Sequence, residues 1–174
     1  MLRLCGRCER AHRTRWTCRD GRCSHDEVRF DLETRASPEQ VRHALTDFSE
    51  RRLRTWRRSL DARTYELRDH GEGWAIVRES SSGSPAWVVS RYDWPDPDVV
   101  RWTVLESSYD GGGDGFVRVT PRPDGGSDVH AEWSASNPRR QKLLLFAIHH
   151  GPMNRLISRL WASALEDVAR EETH

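Results

Sequence analysis

Long hydrophobic runs are absent from this chain. The longest stretch of consecutive apolar residues is Leu143–Ile148, whereas a helix that crosses a bilayer needs roughly 20 of them. The first eight residues, Met1–Cys8, also lack the apolar stretch of about 7–15 residues that a secretory signal contains. We therefore expect a cytoplasmic protein without a transmembrane segment, in which cysteines stay reduced.

An excess of either charge is missing as well. The 174 residues include 28 Lys+Arg and 27 Asp+Glu, which leaves a net charge of +1. Proteins that bind nucleic acid or anionic membranes ordinarily show a basic excess, so we expect no nucleic-acid partner and no membrane insertion. The length is typical of one domain, and an apolar fraction of 36%, with eight tryptophans, is enough for one core.

Motifs of common enzymes do not occur. The chain contains no nucleophile elbow, phosphate-binding loop, zinc-protease motif or dinucleotide fingerprint. The glycine-rich segment Gly111–Gly115 lacks the Lys-Ser/Thr pair of a phosphate loop and precedes a strand pattern, so it predicts a hairpin turn. We therefore assign no catalytic residue, no cofactor and no metal site to the folded part of the chain.

Cysteines occur only near the start of the chain, as Cys5, Cys8, Cys18 and Cys23. The Cys-x2-Cys pair is typical of zinc ligands, but the Cys-x4-Cys pair is less specific, and the segment is rich in arginine and poor in apolar residues. Three interpretations stay open: a disordered tail or over-long reading frame, a zinc knuckle, and an arginine-rich tail that touches nucleic acid or acidic lipid weakly. We adopt the first, with residues 1–25 as a basic tail and 26–171 as the domain.

Regular patterns begin after the cysteines. Val28–Glu33 alternates apolar and charged residues, which predicts a strand with one buried face. Ser37-Pro38-Glu39-Gln40 then combines a capping hydroxyl, a proline at the first helical position and a Gln three residues after the serine. A helix is predicted to start there, and a second short helix to end near Trp56.

The middle of the chain reads as an antiparallel meander. Short alternating segments follow one another between Ala62 and Ala135, separated by turns rich in Gly, Pro and Asp, and no crossover helices lie between them. From Pro138 to Glu171 the period changes to that of a helix. This long C-terminal helix is predicted to kink just before Pro152, with an apolar stripe at Phe146, His150, Met153, Ile157, Leu160, Ala164 and Val168.

The order strand, two short helices, six antiparallel strands and one long helix resembles the helix-grip fold of the START-like (SRPBCC) superfamily, often described as polyketide cyclase/dehydrase. The resemblance rests on Val28–Glu33, on Ser37–Val41, on the helix that ends near Trp56 and on the terminal helix. It implies an α+β domain in which a curved antiparallel sheet wraps around the C-terminal helix. It also implies a cavity between sheet and helix for an apolar or amphipathic small molecule.

Apolar residues on the predicted helix stripe and tryptophans on the strands are the candidate lining of this cavity. The candidate ligand-binding residues are Trp56, Trp87, Trp102, Phe146, His150, Met153, Ile157 and Trp161. Tyr92, Asp93, Arg118 and Glu132 are polar residues on predicted strands, and those that point inward can orient a polyketide or a lipid head group. Strand parity alone does not decide which of them do. The arginines between Arg51 and Arg58 are interpreted as a solvated helix face, although they can also attract an anionic ligand or membrane surface to the pocket entrance.

Two functions compete. A carrier or sensor of a lipid, polyketide or similar metabolite is the leading interpretation, because the resemblance implies a pocket and no catalytic constellation is present. The alternative is a polyketide cyclase or dehydratase that uses the same pocket, in which His150 is the one general base with a place on the stripe. The oligomeric state is not predicted.

Deletion of the residues up to Ser24 is expected to leave the thermal midpoint unchanged, because this segment offers little apolar surface to bury. Differential scanning calorimetry of the full and the truncated chain measures this. A loss of several degrees on truncation, or one zinc ion copurifying per full chain, would show that the segment is structural.

Overall fold

The computed structural model describes residues 27–136 and 153–171, and the statements below concern these residues. Ten elements follow one another in chain order: β1 (Glu27–Thr34), α1 (Pro38–Thr46), α2 (Arg51–Thr55), β2 (Glu66–Gly71), β3 (Trp74–Glu79), β4 (Val88–Asp96), β5 (Val99–Ser107), β6 (Gly112–Pro121), β7 (Ser127–Ser136) and α3 (Met153–Glu171). The predicted order of strand, two short helices, six strands and C-terminal helix is confirmed. The first part of the predicted helix and its kink lie outside the described residues.

All seven strands form one antiparallel sheet in the order β1-β7-β6-β5-β4-β3-β2. Strands β2 to β7 pair with their sequence neighbours, as a meander does, and only the pairing of β1 with β7 joins distant parts of the chain. In that pairing Phe30 lies opposite Ala131 and Val28 opposite Trp133. The segment with α1 and α2 therefore carries the chain from one edge of the sheet to the other.

Helix α1 begins where its capping signal predicts. The Ser37 hydroxyl accepts a hydrogen bond from the Gln40 amide at 3.2 Å, and the Gln40 side chain accepts one from the Ser37 amide at 2.8 Å. These bonds satisfy two backbone donors at the helix start that have no partner within the helix. Val41, Ala44 and Leu45 then bury one side of α1.

Helix α3 lies against the inner face of the sheet, which is the face that carries Phe30, Val117, Val129 and Ala131 in the main hydrophobic core. Its most deeply buried residue is Leu165, which is fully inaccessible to solvent. Leu165 is not on the predicted stripe. It is buried because α3 contacts α1 and α2 as well as β1, and so buries a wider face than a single stripe.

A carboxylate fixes α3 to the end of β1. Glu166 accepts hydrogen bonds from the Arg35 amide at 3.1 Å and from the Arg35 guanidinium at 2.6 and 2.9 Å. The Thr34 hydroxyl also donates to it, at 3.4 Å. These hydrogen bonds, led by those from the Arg35 side chain, lower the pKa of Glu166. Because Arg35 is exposed, the pairing sets the position of the helix more than it stabilises the fold.

Leu165→Ala is expected to lower the free energy of unfolding by about 2–5 kcal/mol, because it leaves a cavity in a fully buried site. Leu156→Ala is the matched control on the same helix. Leu156 is half exposed, so its loss is expected to change the free energy by no more than about 0.5 kcal/mol. Urea denaturation of both variants measures the difference, and equal losses would contradict the assigned packing of α3.

Candidate functional site

One row of paired residues crosses the inner face of the sheet. Tyr92 on β4 lies opposite Trp102 on β5, Trp102 lies opposite Gly115 on β6, and Gly115 lies opposite Trp133 on β7. Paired residues in an antiparallel sheet point to the same face. The row therefore places three aromatic side chains side by side on the face of the sheet that packs in the same core as α3.

Ring contacts extend this row into a continuous aromatic belt. Trp102 lies between Tyr92 and Trp133, with centroid distances of 6.2 and 6.3 Å. Phe30 then contacts Trp133 at 6.0 Å and Trp161 of α3 at 5.5 Å. The complete belt, in order of contact, consists of Trp56, Trp161, Phe30, Trp133, Trp102, Tyr92, Phe48 and Trp94.

Gly115 makes the central part of the belt possible. A Cβ atom at this position would lie 2.5 Å from Trp102 Cζ2 and 2.5 Å from Trp133 Cβ, which is too close for any side chain. The predicted hairpin turn over Gly111–Gly115 is wrong for most of this segment, since β6 already begins at Gly112. Gly115 lies within strand β6, and its lack of a side chain allows Trp102 and Trp133 on the two neighbouring strands to approach it closely.

The belt combines deeply buried and accessible rings. Phe30, Phe48 and Trp56 are buried, and the Trp56 indole donates a hydrogen bond to the Ala44 carbonyl at 2.9 Å. Five members are only half-buried: Tyr92, Trp94, Trp102 and Trp133 on the inner face of the sheet, and Trp161 on α3. The accessible part of these side chains is surface that a small molecule can contact.

A buried ion pair lies at the Phe48 end of the belt. Arg52 Nε donates to Glu79 Oε1 at 2.6 Å, and the two side chains are each 8% exposed. Arg52 Nη1 also donates to the Leu45 carbonyl at 3.2 Å. The Tyr92 hydroxyl donates to the second carboxylate oxygen of Glu79 at 2.7 Å. Both oxygens of the carboxylate thus have a donor, as a buried charge requires.

Rings enclose the guanidinium of Arg52 as well. Its central carbon lies 4.2 Å from the Phe48 ring centroid and 5.3 Å from that of Tyr92. Burial by itself would lower the pKa of Arg52, but the Glu79 carboxylate and the nearby tyrosines raise it above its ordinary value. Burial, reinforced by the charge of Glu79, raises the pKa of Tyr92 far above its ordinary value. Arg52 is therefore a cation, and Tyr92 a hydrogen-bond donor, at neutral pH.

The structure brings four of the predicted ligand-binding residues to the inner face. Trp56, Trp102 and Trp161 are members of the belt, and Ile157 packs against the same core. Trp87 instead lies on the outer face, where the Arg78 guanidinium is stacked 4.4 Å from its ring centroid. It precedes Val88, which pairs with the inward-facing Glu79, so alternation along the strand turns Trp87 outward.

The structure describes no side chain for the other three predicted ligand-binding residues. Phe146 and His150 are outside the described residues, and of Met153 only the backbone at the start of α3 is described. Cys5, Cys8, Cys18 and Cys23 are also outside them. Within residues 27–136 and 153–171, no three His, Cys, Asp or Glu side chains are grouped so that they can hold a metal ion. No helix in those ranges is long and apolar enough to cross a membrane.

Sequence reasoning missed the buried pair of Arg52 and Glu79. Arg52 was grouped with its neighbours as a solvated residue, yet it follows Phe48 by four positions and precedes Trp56 by four. Both aromatic residues are buried. Trp56 is the C-cap residue of α2, so helical spacing places it on the side of Arg52, whereas Phe48 lies in the non-helical segment before α2. Glu79 likewise continues the alternation of Ala75 and Val77 on β3. Helix and strand spacing were therefore the available signals.

The sequence matches no protein-family model and no curated protein, whereas several solved structures share its fold. The Zhui aromatase/cyclase from Streptomyces sp. R1128 is 17% identical, aligns over 85% of this chain and 95% of its own, and has a TM-score of 0.65. A START superfamily protein from Mycobacterium smegmatis is 10% identical over 84% and 98%, with a TM-score of 0.60.

Norcoclaurine synthase from Thalictrum flavum, in complex with dopamine and hydroxybenzaldehyde, is a further structural neighbour. It is 12% identical, aligns over 91% of this chain and 98% of its own, and has a TM-score of 0.61. At identities this low the likeness establishes a shared fold.

Glu79→Gln is expected to lower the free energy of unfolding by about 3–5 kcal/mol, because it leaves the Arg52 cation buried without a counter-charge. The double variant Arg52→Met with Glu79→Leu is expected to regain most of this loss, since it removes both charges. Chemical denaturation of the two variants measures the effect.

Asp93→Asn is the control. Its partner Arg91 lies 2.9 Å away on the outer face, with both side chains 39% exposed, so a change within about 1 kcal/mol is expected. A cost for Glu79→Gln no larger than that of the control would show that the Arg52–Glu79 pair is solvated.

Proposed function

The chain has the helix-grip fold of the START-like (SRPBCC) superfamily, and from this premise we propose that it binds a hydrophobic small molecule between the inner face of the sheet and helix α3. The ligand class is a lipid, a polyketide or a similar apolar or amphipathic metabolite. Residues 26–171 are the binding domain in this proposal, residues 1–25 are a tail, and the protein acts in the cytoplasm.

The aromatic belt is the observation that carries the proposal. Five of its aromatic side chains, four on the inner face of the sheet and one on α3, are only half-buried, whereas a close-packed interior covers its side chains. Indole and phenol rings offer large, rigid apolar faces at a small entropic cost. Apolar walls with a few placed polar groups are typical of small-molecule sites.

The belt suits a ligand with planar rings or a flat hydrocarbon skeleton. Trp102 and Trp133 lie side by side in one row, and offset or tilted stacking on such rings stabilises flat ligands beyond the burial of apolar area. The binding of dopamine and hydroxybenzaldehyde by norcoclaurine synthase supports the general capacity of this fold for aromatic compounds.

The Arg52–Glu79–Tyr92 network supplies polarity at one end of the belt. Tyr92 belongs to both, since its ring contacts Trp102 and its hydroxyl is bonded to Glu79. In the proposed complex, the network orients an amphipathic ligand, with the polar group of the ligand toward Tyr92 and its apolar part along Trp102 and Trp133. Because Arg52 and Glu79 already satisfy each other, the empty site is stable without a ligand.

A cyclase or dehydratase that uses the same site is the second candidate. The observation in its favour is the Glu79 carboxylate, which lies beside the belt and is bonded to a phenol that stays protonated. A carboxylate in such a place can accept a proton from a bound poly-β-ketone, while the pocket holds the chain in a folded conformation. His150, the base that the sequence indicated, lies outside the described residues.

Trp102→Ala is expected to weaken the binding of N-phenyl-1-naphthylamine by about tenfold or more, because it removes the central ring of the belt. This uncharged probe fluoresces in apolar sites and has no charge for surface arginines to attract. Trp74→Ala is the control, since Trp74 lies on the outer face under the Arg91 guanidinium, and its affinity is expected to stay within about twofold of the wild type.

Circular dichroism first establishes that both variants are folded. Equal affinities of the two folded variants would contradict a binding site on the inner face. Turnover of a poly-β-ketone by the wild type that is lost in a Glu79→Gln variant, once circular dichroism has shown this variant to be folded, would favour the enzyme over the carrier.

A further inference from the structure

A concave feature lies on the side of helix α2 that is opposite the inner face of the sheet. It is a cleft between α2, the end of α3 and the last turn of α1, and its three overlapping cavities have volumes of about 210, 270 and 220 Å³. Ala44, Ala164 and Val168 supply apolar atoms to its wall. Its rim carries Arg51, Arg54, Arg57, Asp167, Arg170 and Glu171. We call it the arginine cleft.

Guanidinium groups outnumber carboxylates around this cleft. Three arginines share the single carboxylate of Asp167: Arg57 at 3.2 Å, Arg170 at 3.6 Å and Arg58 at 4.0 Å. An aspartate has only four lone-pair directions, so most of the donors of these three side chains are left for solvent or a ligand. The three side chains are 50–66% exposed and therefore accessible.

The remaining charges strengthen this excess. Asp47 lies 3.8 Å from Arg51 and 3.5 Å from His43, so one carboxylate again serves two bases. Arg54 has no ion pair with any residue in the described ranges, although it lines two of the three cavities. Four arginines line the cleft, and Arg58 lies beside it at Asp167. The described residues place three carboxylates there, those of Asp47, Asp167 and Glu171. Among the described residues the cleft therefore has an excess of one positive charge, or of two with Arg58, whereas the chain as a whole is nearly neutral.

We propose that the arginine cleft binds a phosphate-type anion, independently of the inner-face site. A phosphate monoester carries about two negative charges at pH 7, which balances the local excess. Its oxygens match the planar donor fork of arginine, which favours bidentate contacts that lysine does not make. The anion is either a soluble phosphate compound or the headgroup of a lipid in a membrane.

The position of these arginines favours an anion-binding site over a solvated helix face. Arg52, on the same short helix, points to the opposite side and is buried. Arg51, Arg54 and Arg57 face a cleft whose far wall is α3. The end of α3 carries a partial negative charge that attracts arginines, but one helix end accounts for only about half a charge. The positive charge that is left after the three carboxylates are subtracted exceeds this half charge.

The test uses the full chain and two ligands. Isothermal titration calorimetry with pyrophosphate, at low ionic strength, is expected to show one saturable site per chain. Cosedimentation with phosphatidylcholine vesicles that contain phosphatidic acid, against pure phosphatidylcholine vesicles, tests the headgroup. Arg54→Gln with Arg57→Gln is expected to weaken binding about tenfold, and Arg54→Gln alone by a smaller factor. Arg54→Gln breaks no ion pair of the described residues, so this variant is expected to fold.

Arg91→Gln is the matched control, because Arg91 is a partly exposed arginine on the outer face of the sheet. It is expected to bind within twofold of the wild type. N-phenyl-1-naphthylamine binding is expected to be the same in all these variants, which separates this proposal from the inner-face site. The arginine-rich first 25 residues are present throughout, so their contribution to vesicle binding cancels.

Saturable pyrophosphate binding that the double variant weakens would support a soluble phosphate ligand. Binding of phosphatidic acid vesicles alone, with the same sensitivity, would support a lipid headgroup. The proposal is overturned if neither ligand binds, or if Arg91→Gln reduces binding as much as the double variant does.

Discussion

The packing of α3 on β1 is the contact on which the candidate inner-face site depends. Leu165 is completely buried, and Glu166 beside it is hydrogen-bonded to Thr34 and Arg35 just after the strand. Together they fix both the position of the helix and its rotation about its axis. Trp161 lies four residues before Leu165, and Ile157 lies eight residues before it. Helical periodicity therefore brings all three to the same side of α3. A rotated helix would break the contact between Trp161 and Phe30.

The inner face of the sheet carries two chemically different groups of side chains, the aromatic belt and the Arg52–Glu79 ion pair. The aromatic belt is apolar and only half-buried in its middle, and Gly115 is what allows Trp102 and Trp133 to approach each other. The Arg52–Glu79 pair is charged and buried, which is costly unless each group satisfies the other. Apolar residues of similar volume would stabilise such a site about as well, so the pair contributes more to polarity beside the belt than to stability.

Helix α2 separates two chemically distinct surfaces within five residues. Arg52 points into the domain and belongs to the network with Glu79 and Tyr92. Arg51 and Arg54 point to the arginine cleft on the other side.

Local patterns in the sequence were enough for the element order. The cap of α1 involves residues within one turn, and the alternation in Val28–Glu33 reports burial directly, so both were predictable. The prediction of a turn over Gly111–Gly115 was wrong for most of the segment, because it considered only the local preference of glycine for turns. Gly115 lies in a strand, where Trp102 and Trp133 on the two neighbouring strands leave no room for a side chain. The orientation of Trp87 depended on its register with β3, which a single segment does not reveal.

By itself the sequence determined the α+β architecture, the order of the elements and the abundance of tryptophan for an apolar site, since periodicity and capping are properties of neighbouring residues. Only the tertiary structure decided which side chains meet: the pairing of Arg52 with Glu79, the union of eight aromatic rings into one belt, and the concentration of arginines opposite the end of α3. The residues in these contacts are far apart in the chain. Their proximity depends on sheet register and helix packing, which no local pattern specifies.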